Sequence, residues 1–436
     1  MEPLIRAGPP GERGREILRR DAGVISPSAA REYPLVLERG AGMNLWDIDG
    51  NRYLDFTAGI AVMNMGWNPP EVVAAIREQA GYLSHGAFMD FCSGVPVRCA
   101  EEVVGFLPGG LDRVYFSNSG AESVEAAMKL ARYHSGRNHF IAFHRGFHGR
   151  TYGALSLTAG KVVQRRSFGP FLPVIHVPYP DPYRPFGGDP ATCDAAVVAY
   201  LEETVFADEV APDEVAAIVV EPVLGEGGYV VPPPGFLPRL RRLCDEHGIL
   251  LVADEVQAGC FRTGRFLAST HAGVTPDIVC LGKALGGGLP FGVTVASGEV
   301  MDWPPGSHAS TFGGNNLACA AALAVMGLLR EEGLGERVTA AGGYLTARLR
   351  ELAERHPIVG DVRGLGLMVG MELVRDQSTK EPARDKQRII LRRAFERGLV
   401  LLPAGESVIR FCPPLIVSEE EIDTAVAILD RAMEGF

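Results

Sequence analysis

The sequence predicts an α/β protein, with a large domain on a mostly parallel sheet and a smaller α+β domain. Three observations predict this. Short apolar segments alternate with helical stretches through the middle of the 436-residue chain. Those segments are apolar on both faces, as strands covered by helices on each side must be. From about Leu334 to Phe436 the chain carries helices and strands of its own. The expected division is an N-terminal arm with a segment of the small domain (1–72), a large domain (73–320) and a C-terminal small domain (321–436).

Taken in order, residues 1 to about 30 are rich in Gly, Pro and Arg without helical or strand periodicity. They read as an arm that packs on another surface or stays partly mobile, an oligomer contact being one use. Leu45-Trp46-Asp47-Ile48 and Tyr53-Leu54-Asp55-Phe56 flank an Asp49-Gly50 pair, which is a hairpin signal. Val72, Val73, Ile76 and Ala80 are spaced for an amphipathic helix. Strands follow at 113–116, 140–143, 217–220, 250–253, 278–281 and 292–296, with a helix from about Ala121 and an Ala-rich helix from Asn315 to about Glu332.

Composition excludes several classes. A net charge of −11 disfavours a nucleic-acid partner, because phosphate binding needs an excess of Lys and Arg. No apolar run is long enough to span a bilayer, and the first residues lack the apolar core of a secretory signal. The eight cysteines show no CxxC pair and no framework spacing, the pattern of reduced thiols. A cytoplasmic protein is expected. The histidines at 134, 139, 144 and 148 are spaced too widely for a structural zinc set, so no metal is expected.

Two strands end in polar residues, Val252-Ala253-Asp254-Glu255 and Cys280-Leu281-Gly282-Lys283. In a parallel sheet both ends point to the crevice where ligands bind. Pyridoxal 5'-phosphate (PLP) chemistry needs an amine that forms an imine with the coenzyme aldehyde and a carboxylate that keeps its ring nitrogen protonated. Lys283 and Asp254 supply those groups. A surface lysine and a helix-capping aspartate are the plain alternatives, yet Gly282 and Gly286-Gly287-Gly288 around Lys283 argue for close backbone approach. A nucleotide-binding loop fails, because Asp277 stands where its first glycine belongs and Ala284 replaces its Ser or Thr. Asn118-Ser119-Gly120-Ala121-Glu122 opens a helix whose free N–H groups suit a dianionic phosphate. Phe147-His148-Gly149-Arg150 brings an aromatic ring and a cation after the next strand.

With these pieces in place the chain resembles the class III (ornithine and 4-aminobutyrate type) aminotransferases from about Tyr33 to Phe436. The resemblance is carried by Asp47-x-Asp49-Gly50-Asn51, Asp55-Phe56-x-x-Gly59-Ile60-Ala61-Val62, Ser117 to Glu122, Phe147 to Thr151, Glu221-Pro222-Val223-Leu224-Gly225-Glu226-Gly227-Gly228, Asp254-Glu255-Val256-Gln257, Gly282-Lys283-Ala284 and Ser310 to Asn315. It implies a PLP enzyme of fold type I, with a mostly parallel seven-stranded sheet and a small domain formed by the chain ends. It further implies a homodimer or dimer of dimers with interfacial active sites. Residue by residue, it implies that Lys283 carries PLP as an imine and Asp254 pairs with the ring nitrogen. Gly120 and Ala121 bind phosphate through their backbone, and Thr311 reaches the phosphate of a second copy. Phe147 and Val256 lie on the two ring faces, and Gln257 bonds the ring hydroxyl. For substrate it implies Arg410 for an α-carboxylate, Glu226 as the partner of that arginine when an ω-amine is bound, and Arg150 for a distal carboxylate.

Ile60 stands where ornithine-type members carry a tyrosine, which favours 4-aminobutyrate-like members over ornithine or acetylornithine aminotransferases. Trp67 in Gly66-Trp67-Asn68-Pro69 and Leu224 also depart from the family pattern, as does the Cys260-Phe261 segment. The expected reaction passes an amino group from an ω-amino acid, 4-aminobutyrate first, to a keto acid such as 2-oxoglutarate. The alternative within the fold is an amino-acid racemase or epimerase, which needs a second acid/base group opposite Lys283. Glu226 lies in a segment that could supply it.

Overall fold

The computed structural model describes residues 2–436 and divides into two compact units. Unit 1 comprises residues up to Pro69 together with Glu336–Phe436, and unit 2 comprises Pro70–Gly335. The second break falls later than the expected 320. The 14-residue Ala-rich helix Asn316–Leu329 packs within unit 2 against the helix Pro70–Tyr82, so it stays with the large sheet.

Unit 1 begins with a helix, Glu12–Val24, in the arm for which no periodicity is visible. Its first N–H groups have no local side-chain cap. Asp49 supplies one instead, with Arg13 N donating to Oδ1 at 2.9 Å and Gly14 N to Oδ2 at 2.9 Å. Gly14 permits that approach, since a Cβ there would lie 2.6 Å from the Asp49 carboxylate. Asn51 Oδ1 likewise accepts from Arg6 N and Ala7 N, so the polar turn holds the arm in place. That turn joins β2 (Asn44–Asp47) to β3 (Arg52–Asp55), with β1 (Leu37–Ala41) antiparallel to β2. The hairpin forms as the Asp-Gly signal predicts, with Gly50 at φ +83° and its N–H donating to Asp47 O.

Unit 2 carries β4 (Arg113–Ser117), β5 (His139–Phe143), β6 (Val174–Val177), β7 (Val215–Val220), β8 (Leu250–Asp254), β9 (Ile278–Gly282) and β10 (Gly292–Ala296). They form one sheet in the order β4-β10-β9-β8-β7-β5-β6. β10 runs antiparallel to both neighbours, and the remaining pairings between β9 and β6 are parallel. The carboxyl ends of six strands therefore share one edge. β7 is buried along its whole length, which accounts for its unbroken apolar run. Helix Gly120–Ser135 covers one face through Val124, Ala127, Leu130 and Ala131, while Phe236, Leu237, Leu240 and Leu243 of helix Phe236–His247 cover the β7 region in a separate cluster.

The chain then returns to unit 1 with β11 (Val359–Leu365), β12 (Met368–Leu373), β13 (Leu399–Val400), β14 (Leu402–Ala404) and β15 (Val408–Phe411). β13 joins the first sheet parallel to β3, and the other four form a second sheet in the order β11-β12-β15-β14. Tyr33 and Tyr53 stack on Phe395 at 4.6 and 5.2 Å between ring centroids, so the core of this unit is made by both chain ends.

Replacing Asp49 by alanine removes the cap of the arm helix, at a cost of about 1 kcal/mol. Limited trypsin digestion should then cut at the arginines between 13 and 20 faster than in the wild type. An unchanged rate would contradict the docking role of Asp49.

Candidate active site

Asp254 and Lys283 stand at and just beyond the shared edge of the sheet. Pairing of β8 with β9 sets Asp254 opposite Cys280, so Lys283 follows three residues further along the neighbouring parallel strand. Lys283 is half-buried and holds φ at +42°, a left-handed value for a non-glycine residue that marks a constrained position. Gly282 lies against the start of helix Gly120–Ser135: a Cβ on Gly282 would stand 3.3 Å from Gly120 N. Gly120 in turn faces Val256, whose Cγ1 would be 2.6 Å from any Cβ at 120. The helix start is capped by Ser119, whose Oγ accepts from Glu122 N at 3.2 Å.

Asp254 is buried and fully engaged. Its Oδ2 lies 2.8 Å from His148 Nδ1, and its Oδ1 accepts from Val256 N at 3.1 Å. Burial alone would lower the His148 pKa, but the bond to Asp254 and the charges of Asp254 and Glu221 outweigh it and leave the value raised. The shift favours the protonated imidazole opposite Asp254. Behind this pair, Glu221 accepts from Phe147 N and Gly225 N, both at 2.8 Å, which fixes the loops after β5 and β7. Burial pushes the Glu221 carboxyl up to about 7, with the His148 charge opposing. Glu255 next to Asp254 serves structure, accepting from Ala268 N and Ser269 N, and burial lifts its pKa to about 7 as well.

Around this centre, Phe147 is half-buried and Arg150 is exposed, with its guanidinium 5.7 Å from the Phe147 ring centroid. Tyr229 OH donates to Gln257 Oε1 at 3.0 Å, and Gln257 Nε2 lies against Gly225, where a Cβ would stand 2.1 Å from it. Ala121 is half-buried at the helix start, and Thr311 is exposed. Asn118 Nδ2 donates to Ser310 Oγ at 2.8 Å and so ties the segment before Thr311 to the same helix start. Glu226 forms an ion pair with Lys161, 2.6 Å from Nζ to Oε1. Ile60 and Arg410 belong to unit 1. There Cys412 N donates to Phe56 O at 2.8 Å, linking the strand of Arg410 to the segment that leads to Ile60.

Sequence reasoning missed His148, Glu221 and Lys161. His148 stood in a quoted motif but was weighed only as a metal ligand, and its Asp254 partner is 106 residues away. Trp67 packs against the Leu45, Tyr53, Phe395 and Val400 cluster and donates Nε1–H to Asp55 Oδ2 at 2.7 Å.

A half-buried lysine, a buried carboxylate locked to an imidazole, and a glycine-lined helix start meeting at one sheet edge fit an anionic aromatic coenzyme with an aldehyde. This fold and these donors define a PLP enzyme of fold type I. Comparison with known proteins defines the family: the aminotransferase class-III model matches residues 25–433, and the chain belongs to that family. It is 40% identical over 424 residues to the 5-aminovalerate aminotransferase of Pseudomonas aeruginosa, covering 96% of this chain and 98% of that one. It is 39% identical over 424 residues to the leucine/methionine racemase of Thermococcus litoralis, covering 97% and 96%. Among solved structures, an amine transaminase from an uncultivated Pseudomonas species in its PLP-bound form superposes with a TM-score of 0.88 at 35% identity, covering 94% of this chain and 97% of that one.

His148→Ala leaves Asp254 buried without its charged partner and should cost about 3–5 kcal/mol in urea unfolding. A loss below about 1 kcal/mol would show that the pair contributes little. Because the His148 pKa is raised in the folded state, the pair's contribution is complete below the unfolded value of 6.5 and fades as pH rises through the folded value. The gap between wild type and variant should narrow accordingly.

Proposed function

We propose that the chain transfers an amino group from an ω-amino acid, 4-aminobutyrate first, to a keto acid such as 2-oxoglutarate. The observation that carries this reading is Arg150: an exposed guanidinium beside the Phe147 ring, with no carboxylate partner among the described residues. It is available for the carboxylate at the far end of such a donor. The curated relative from Pseudomonas aeruginosa, a 5-aminovalerate aminotransferase, supports the same substrate class.

PLP, when bound, would supply the electron sink that accepts the charge left as the substrate's amine-bearing carbon loses its proton. In our reading Lys283 Nζ would hold the coenzyme through its aldehyde carbon and would carry the proton of the substrate's amine-bearing carbon. Asp254, locked by His148, holds the proton on the ring nitrogen. The N–H groups of Gly120 and Ala121 bind the phosphate, where the helix dipole favours negative charge. Phe147 and Val256 confine the ring from its two faces, and Gln257 Nε2 donates to its hydroxyl. Ile60 borders the substrate, Arg410 takes the α-carboxylate of the keto acid, and Glu226 answers that arginine when an ω-amine is bound.

Thr311 completes the phosphate site of a second copy in a homodimer or dimer of dimers. Support comes from its exposure next to Phe312, which is 58% exposed, and from exposed Tyr82 and Phe91 in the same unit. We read the enzyme as cytoplasmic, on its reduced-thiol pattern. No described helix is long and apolar enough to cross a membrane.

Racemisation is the second reading, favoured by the similarity to the Thermococcus litoralis racemase. Purified enzyme given 4-aminobutyrate and 2-oxoglutarate should form glutamate. Inversion of single enantiomers of Ala, Leu or Ile without any keto acid would instead mark a racemase, and glutamate from ornithine or acetylornithine alone would move the donor class. Lys283→Ala should abolish the visible absorbance of the protein-bound coenzyme. A variant that kept it would remove Lys283 from its role.

A further inference from the structure

Unit 1 holds a single left-handed helical turn. Ala58, Gly59, Ile60 and Ala61 have φ of +46°, +60°, +65° and +58°, and Ile60 has ψ of +59°. A β-branched residue seldom adopts this conformation, and a run of three non-glycine residues does so only where the surroundings enforce it. Burial does not enforce it at Ile60, whose side chain is 36% exposed.

A chain of hydrogen bonds does. Within the turn, Ala61 N donates to Thr57 O and Val62 N to Ala58 O. Thr57 Oγ1 accepts from Gly59 N at 3.1 Å and donates to Asp55 Oδ1 at 2.7 Å, while Thr57 N donates to the same oxygen at 2.8 Å. Asp55 is fully buried, and its other oxygen, Oδ2, accepts from Trp67 Nε1 at 2.7 Å. Trp67 is itself held by a two-way backbone pairing with Gly42, and Gly40 leaves the space its indole fills. The far edge of the indole lies over Gly59, where a Cβ would meet Cη2 at 3.7 Å. Indole and carboxylate thus grip the turn from beneath and from its start. Removing the indole N–H would strand a buried oxygen, and the least constrained response is rotation of Asp55, which releases Thr57 and with it the turn.

We propose that Trp67 is a positioning residue for substrate selection, acting through Asp55 and the left-handed turn to fix Ile60. The proposal rests on Ile60 bordering the substrate. It gives the tryptophan, which departs from the family pattern at this position, a role at a distance from the substrate itself.

The test is a double-mutant cycle on the holoenzyme. kcat and KM are measured for two substrates that the wild type turns over, by transfer or by inversion, and that differ in bulk near the reacting amine. Trp67→Phe should change the ratio of their kcat/KM by about fivefold or more, chiefly through KM, with the bound coenzyme's absorbance retained. On an Ile60→Ala background the same substitution should leave the ratio unchanged, because the group it positions is gone. If Trp67→Phe does not fold, Thr57→Val cuts the same chain at its other end and is read the same way. An unaltered ratio in the single variant, or an equal shift with and without Ile60, would overturn the proposal. Failure of the 4-aminobutyrate reading would appear in the wild-type substrate panel, independently of these ratios.

Discussion

Parallel pairing of β8 with β9 is the constraint on which the site depends. It sends two strands out of the sheet on the same side, one ending at Asp254 and the other at Gly282, with Lys283 next in the chain. The antiparallel β10 then bridges β9 to β4, with Gly292 opposite both Gly282 and Ser117. That bridge brings the start of helix Gly120–Ser135 to the lysine. The helix-start N–H groups, the amine and the carboxylate therefore come together through strand order, before any loop is considered.

The carboxylate is made usable by what surrounds it. A buried, unpaired charge would neutralise. His148 pairs with the carboxylate, Nδ1 lying 2.8 Å from Asp254 Oδ2, and Glu221 behind it fixes the loops that carry Phe147 and Gly225. The hydrogen bonds from His148 and from Val256 N hold the Asp254 carboxylate in one orientation at the sheet edge.

Much of this was legible in the sequence, for physical reasons. The Asp49-Gly50 hairpin and the fully apolar β7, β8 and β9 announce themselves by turn chemistry and by burial on two faces. Asp254 and Lys283 stood out because polar residues ended apolar runs. What stayed hidden depends on partners remote in sequence. The helix Glu12–Val24 takes its cap from Asp49 rather than from a neighbour, and its glycines admit that carboxylate, so no local start signal exists. β6 is four residues long at the sheet edge, between two prolines, and is too short to show a pattern. The His148–Asp254 and Lys161–Glu226 pairs, and the left-handed turn at Ile60, are products of tertiary contact that no spacing rule encodes.

The central claim is that Lys283 and Asp254 grip one coenzyme ring from opposite ends. A crystal structure of the protein purified with PLP tests it most directly. The account predicts density continuous from Lys283 Nζ into the coenzyme, with an Asp254 oxygen within hydrogen-bonding distance of the ring nitrogen and His148 still against the other side of that carboxylate. Coenzyme bound elsewhere, or a ring nitrogen facing something other than Asp254, would contradict it.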